Sequence, residues 1–318
     1  MASKSKSIFS SLLILILIGA GIGYYFYQQI FGSNVTTSEN NEVVFIPTGA
    51  SLDNVADLLL ENKQIEDRKS FIWTANKMNY NEKLIKGGKY EIQSGWSNRD
   101  LVRHLRSGNQ KAVKVTFNNV RFLNELAPKI AEQLELDSTE FLNYIKDTSL
   151  ISSLGYSPQT FISMFIPNTY EMYWNTNAKN FVQRMEKEHK KFWAQNDRVR
   201  KARAKDMSPL EVYILASIVE KETQKNDEKQ RLAGVYVNRL KRGIPLQADP
   251  TVVFANGDFG IRRVLFKHLE KESPYNTYIN KGLPPGPIYM PNIQSIDAVL
   301  NAEDHQYLYF CALSLIHI

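Results

Sequence analysis

Ser208-Pro209-Leu210-Glu211-Val212-Tyr213-Ile214-Leu215-Ala216-Ser217-Ile218-Val219-Glu220-Lys221-Glu222-Thr223 is the stretch on which the reading of this chain turns. Ser208 is placed to cap a helix, Pro209 fits the first turn, where its missing N–H costs nothing, and Glu211 completes an S-x-x-E capping box. From Leu210 to Val219 the segment is apolar almost all round, which implies burial on nearly every side and therefore a domain built around it. Polarity returns at Glu220, Lys221 and Glu222. A carboxyl group at the mouth of a buried helix is partly desolvated, and desolvation favours the protonated form that a general acid needs. Glu220 shares a stripe with Tyr213, Ala216 and Ser217, and Glu222 shares one with Leu215 and Ile218. Periodicity does not separate them, and a helix end emerging into solvent explains either.

Downstream, residues 227–241 read as a helix ending at Gly243, with Leu232, Val235, Tyr236 and Leu240 as its inner face and Asn238 and Arg239 near its end. Ile244 to Val252 reads as a strand-like piece broken by Pro250, and it carries Gln247, Asp249 and Thr251. Tyr275-Asn276-Thr277-Tyr278 leads into Gly282-Leu283-Pro284-Pro285-Gly286-Pro287-Ile288, a loop that composition makes stiff. Polar side chains crowded at such turns line a cleft or merely brace a crossover. Upstream, helices are expected over 121–134 and 138–146, then a loop containing Phe165 to Glu171, then one long charged helix over 177–205.

The first residues carry a different message. Lys4 and Lys6 precede a run without charges from Ile8 to Ile30, long enough to cross a bilayer at roughly 20 residues. A cleaved secretory signal has a shorter apolar core and a small-x-small site, and no Ala-x-Ala follows here. Tyr24, Tyr25 and Tyr27 would sit at an interfacial belt, and the lysines favour a cytoplasmic N-terminus. The expected layout is a cytoplasmic stretch 1–7, a transmembrane anchor 8–30, a linker 31–42, a small α/β module 43–118 and a larger mixed α+β domain 119–318. The module's strand, helices and strand look similar to a LysM carbohydrate-binding unit, although a spacer that binds nothing fits the same pattern.

Composition narrows the chemistry. The 43% hydrophobic and 23% charged fractions belong to globular protein, and the net charge of +6 suits work beside anionic lipid or wall polymer. No basic cluster interleaved with aromatics points to nucleic acid. One cysteine, Cys311, leaves no intrachain disulfide, and the five histidines at 104, 189, 268, 305 and 317 form no metal-binding spacing. Neither a metal nor another cofactor is expected.

SIVEKET, LQADPTV, YNTY and GLPPGPI, in this order and at these separations, resemble the MltG-type (YceG-like) endolytic murein transglycosylases, from the anchor to about Phe310. The resemblance, not periodicity, lifts Glu220 over Glu222, because the first Glu of the family's VEKET string is its catalytic residue. It implies an α+β protein with one N-terminal transmembrane helix, set in the cytoplasmic (inner) membrane with its catalytic body on the outer, periplasmic side. The implied reaction cleaves the MurNAc–GlcNAc bond of nascent peptidoglycan strands and leaves 1,6-anhydro ends. Glu220 would serve as acid and then base, and Gln247, Asp249, Thr251, Tyr275, Asn276 and Glu222 would bind the sugars. The implied partners are glycan strands, the membrane and penicillin-binding synthases. At Asn168 many relatives carry Asp. Beyond Phe310 relatives continue into a polar segment with His and aromatic residues, whereas Cys311 to Ile318 reads as truncated or out of frame. A hydrolase using Glu220 with Asp249 or Glu222, and a wall-binding scaffold without activity, are the competing readings.

Overall fold

The computed structural model describes residues 2–37 and 41–310; the stretch from Cys311 onward, expected to read as truncated or out of frame, lies outside them. By packing, the chain divides into a first unit, residues up to Val113 with Glu171–Asn175, and a second, Lys114–Tyr170 with Thr176 onward.

The first unit begins with helix α1 (Ala2–Phe31). Its Leu12–Phe31 stretch is long and apolar enough to cross a membrane and is not buried by protein. Strand β1 (Asn41–Ile46), helices α2 (Leu52–Glu61) and α3 (Arg68–Lys77), strand β2 (Gly88–Gln93) and helix α4 (Asn98–Ser107) follow. β1 and β2 pair antiparallel, Val44 opposite Tyr90, and the buried face of the pair, with Ile46 and Ile92, closes on Leu59, Phe71 and Leu101. Local signals start the helices: Ser51 with Asn54 makes a capping box, Asp67 caps α3, and Ser97 caps α4, which stops at Gly108 in the left-handed region at φ 72°.

Within the expected linker 31–42, of which residues 38–40 lie outside the described residues, two residues are held in place. Asn34 and Val35 are buried, their N–H groups donate to the Trp96 carbonyl, and the Asn34 amide donates to the Asp67 carbonyl and to Asn98 Oδ1. Small polar residues serve here as hydrogen-bonding pins rather than as flexible chain. The end of α1 is held too, since Thr74 Oγ1 and Asn98 Nδ2 both donate to the Gln29 carbonyl and Phe26 stacks on Trp73 at 5.1 Å.

Strand β3 (Ala112–Phe117) comes next, then helices α5 (Leu123–Ala131), α6 (Ser138–Lys146) and α7 (Thr148–Ser153), a 3-10 turn at Phe161–Met164, and strand β4 (Asn168–Tyr173), which pairs with β3. The loop expected over Phe165 to Glu171 is therefore half strand: Tyr170 and Met172 alternate inward. The long charged helix is two, α8 (Ala178–Ala194) and α9 (Arg198–Arg203), because Asn196 and Asp197 take left-handed φ of 55° and 59°, which ends an α-helix. The remaining helices are α10 (Pro209–Glu222), α11 (Asn226–Lys241), α12 (Asp249–Asn256), α13 (Phe266–Leu269) and α14 (Ile293–Leu300).

α10 is the axis of the second unit. Its capping box forms as expected, with Glu211 carboxylate accepting from Ser208 N at 2.7 Å. Every residue from Val212 to Glu220 is buried, packed against α11, α12 and α14. The strand-like piece at Ile244 to Val252 is instead a turn that opens α12. Pro250 does not break a strand; it occupies the first turn of that helix, where its fixed φ fits.

Candidate active site

The end of α10 delivers its two carboxylates to different surroundings. Glu220 is buried, with 8% of its side chain exposed. Its Oε2 accepts from Lys229 Nζ of α11 at 3.2 Å and from Ser295 Oγ of α14 at 2.5 Å, and its Oε1 accepts from Asn292 Nδ2 at 3.1 Å. Asn292 does double service, because its Oδ1 caps α14 by accepting from Ser295 N. Lys229, 2% exposed in its side chain, makes with Glu220 a buried ion pair. Such a pair holds only when hydrogen bonds satisfy the remaining lone pairs, which Ser295 and Asn292 do here. The carboxyl is thus fixed in orientation by groups from two other helices.

Glu222, two residues further along the helix, stands on the wall of a cavity of about 570 Å³ with Asp249, Pro250, Phe254 and Ile288. That size suits a small-ligand site. Tyr236 Oη donates to Glu222 at 3.2 Å, and Tyr278 Oη donates to Asp249 at 2.6 Å. Burial pushes the Glu222 carboxyl up to about 7, Asp249 adds to the rise and the Tyr236 hydrogen bond opposes it. Phe259, Arg121, Lys221, Arg262 and Arg263 also stand on the wall. Glu220 is not itself on this wall, whereas its chain neighbours Lys221 and Glu222 are. Among the described residues no group of three or more His, Cys, Asp or Glu is placed to hold a metal ion.

The residues expected to bind sugar separate into three sets. Asp249 and Glu222 meet at the cavity. Gln247 is exposed at φ 51° with its Oε1 accepting from Arg239 at 3.3 Å, and Tyr275 is half-buried with its ring 4.7 Å from Phe254. Thr251 and Asn276 turn inward, each fully buried. Thr251 Oγ1 bonds the Ala248 carbonyl and Thr277, while the Asn276 amide donates to the Leu269 and Lys271 carbonyls and its Oδ1 accepts from Tyr278 N. Their polar atoms brace the loops.

Lys229, Asn292 and Ser295 were not legible as site residues. Lys229 left one usable sign: with Leu232, Ala233 and Tyr236 it falls at i, i+3, i+4 and i+7 on the inner face of α11, where an unpaired lysine is not tolerated. Ser295 and Asn292 left none, because only the tertiary fold brings α14 beside α10.

The model of the YceG-like family matches residues 44–317. The chain is 29% identical to the endolytic murein transglycosylase of Bacillus subtilis strain 168, over 85% of this chain and 78% of that one. It is 27% identical to the endolytic murein transglycosylase of Streptococcus pneumoniae strain D39 over 96% of this chain, and it spans 60% of the length of that relative. A crystal structure of a YceG-like protein from Listeria monocytogenes is similar at a TM-score of 0.56 and 28% identity, covering 87% of this chain and 95% of that one.

Removing one partner of a buried ion pair strands the other, so Lys229→Met should destabilise the chain by about 3–5 kcal/mol. Combining it with Glu220→Gln should cost less than the two single changes added, as chemical denaturation of all four proteins measures. Additive losses would show that the pair is not coupled. Glu222 gives a pH signature. Its raised pKa means that the folded chain holds this proton more tightly than the unfolded one. The stability so gained is complete below about 4.5 and is lost as pH rises through about 7. Glu222→Gln should therefore lose less stability than the parent between those values, and parallel melting curves across that range would contradict the assignment.

Proposed function

The chain belongs to the YceG-like family, and on that premise we propose that it cuts peptidoglycan glycan strands by lytic transglycosylation, anchored in the cytoplasmic membrane by α1 with its second unit on the outer side. The curated relatives named for that activity support the reading, as do the exposed apolar length of Leu12–Phe31 and the lysines that precede it. The observation that carries the chemistry is the convergence of Lys229, Asn292 and Ser295 on Glu220. A general acid works best when neighbours lock its orientation, and here that orientation is set by α11 and α14.

Glu220 first takes a proton from the Lys229 ammonium paired with it and gives it to the bridging oxygen between MurNAc and GlcNAc, the C1–O bond breaks, and GlcNAc leaves with a free 4-hydroxyl. The MurNAc ring is left with oxocarbenium character at C1. The Glu220 carboxylate then takes the proton from the sugar's own 6-hydroxyl, whose oxygen bonds C1 and closes the 1,6-anhydro ring. The nucleophile is part of the substrate, so its effective concentration is already high and no second carboxylate need activate water. Lys229, Asn292 and Ser295 hold the same carboxyl for both steps. Asp249, and Glu222 when ionised, face the cavity and favour positive charge developing there, while Gln247 and Tyr275 orient the sugars from the loops.

A hydrolytic reading has one observation in its favour: Glu222 and Asp249 stand together on the cavity wall, and two carboxylates are what water-dependent glycosidases use. The products separate the two. Mass spectrometry of uncrosslinked strands digested by the purified protein should reveal 1,6-anhydro-MurNAc ends, and reducing MurNAc ends would overturn the lytic mechanism. Glu220→Gln should lower the cleavage rate by about 10²–10⁴ while the variant still melts cooperatively. Undiminished cleavage by that variant would remove Glu220 from the chemistry.

A further inference from the structure

The cavity beside Glu220 carries more positive charge than a neutral sugar calls for. Arg121, Lys221, Arg262 and Arg263 stand on its wall against Glu222 and Asp249, and burial holds Glu222 near neutrality. Among the described residues, none of these cations takes part in an ion pair. Aromatic rings hold two of them in place instead. The Arg121 guanidinium lies 3.7 Å from the centre of the Phe259 ring, and Lys221 Nζ lies 4.7 Å from that of Tyr289. A ring face positions a cation without neutralising it, so the charge stays available to a ligand.

We propose, on the reading of the chain as a peptidoglycan transglycosylase, that this cationic wall binds the carboxylates of the peptide stems carried by MurNAc, and so selects strands that still bear their stems. Sugar hydroxyls are met by neutral donors and stacked rings and do not require unpaired guanidinium groups. Grouped like charges repel one another and persist where a ligand of opposite sign completes them. Arginine forks match carboxylates in pairs of parallel hydrogen bonds, and a stem places several carboxylates on a short flexible chain. Lys221 follows Glu220 in sequence, which brings a stem held there next to the saccharide bond being cut. Arg262 and Arg263, on the segment between α12 and α13, receive the stem's farther carboxylates.

The test is equilibrium binding of soluble glycan strands to the full chain in detergent, for the parent, the double variant Arg262→Gln with Arg263→Gln, and Lys267→Gln as a charge-matched control off the cavity wall. Strands are offered with free stem carboxylates, with those carboxylates blocked as amides, and with a lipid diphosphate at the reducing end. The parent should bind stem-bearing strands about tenfold more tightly than amide-blocked ones, a change of about 1.4 kcal/mol. The double variant should lose that preference, whereas Lys267→Gln should keep it. Equal binding of free and blocked stems by the parent would overturn the proposal, as would a loss in the double variant confined to the diphosphate-bearing strands. Cleavage, scored separately on the same strands, decides the transglycosylase reading, so stem selection without cleavage would unseat that reading and leave the binding result standing.

Discussion

The buried ion pair of Glu220 with Lys229 is what the core of the second unit is arranged around. Drawing two charges out of water costs several kcal/mol for each, and mutual attraction offsets that cost only when the remaining hydrogen-bonding capacity is met. Ser295 Oγ and Asn292 Nδ2 meet it on the carboxylate side. Because Lys229 lies on α11 and the other two lie at the start of α14, the pair can form only when α10, α11 and α14 are packed together. Apolar contacts supply the bulk of that packing, through Leu215, Ile218, Val219, Leu232, Tyr236, Ile296 and Val299. The ion pair supplies what apolar contacts lack, a fixed direction for one carboxyl.

Two residues along the same helix, a second carboxyl meets an opposite arrangement. Glu222 has a tyrosine hydroxyl as its donor and a carboxylate as its neighbour, and among the described residues it makes no ion pair. Its proton is therefore retained to about pH 7. A helix turns about 100° per residue, so residues two apart point to different sides. One sequence string thus sends one carboxyl into a cage of donors and the other onto an open wall.

How much of this could be read in the chain followed the range of the forces involved. The start of α10 was set by Ser208 with Glu211, a contact three residues apart, and was legible. The break between α8 and α9 depends on left-handed backbone at Asn196 and Asp197, which composition alone does not announce. Pro250 was misleading because the same fixed φ that interrupts a strand also opens a helix. Gln247, Asp249, Thr251, Tyr275 and Asn276 were found through a motif, and the motif does not distinguish a side chain that lines a cavity from one that braces a loop. Thr251 and Asn276 brace. Of the groups around Glu220, only Lys229 left a trace in periodicity, since the rest of the cage is assembled from α14, over 70 residues away in sequence.

The side chain of Glu220 is nearly enclosed, so the decisive question is whether a saccharide reaches it. A crystal structure of the Glu220→Gln protein holding an uncut glycan oligomer answers that most directly. The bridging oxygen of one MurNAc–GlcNAc bond should lie within about 2.6–3.2 Å of the side chain at position 220. A bridging oxygen seated beside Glu222 or Asp249, with position 220 still sealed behind Lys229, Asn292 and Ser295, would contradict the assignment and move the chemistry to the cavity wall.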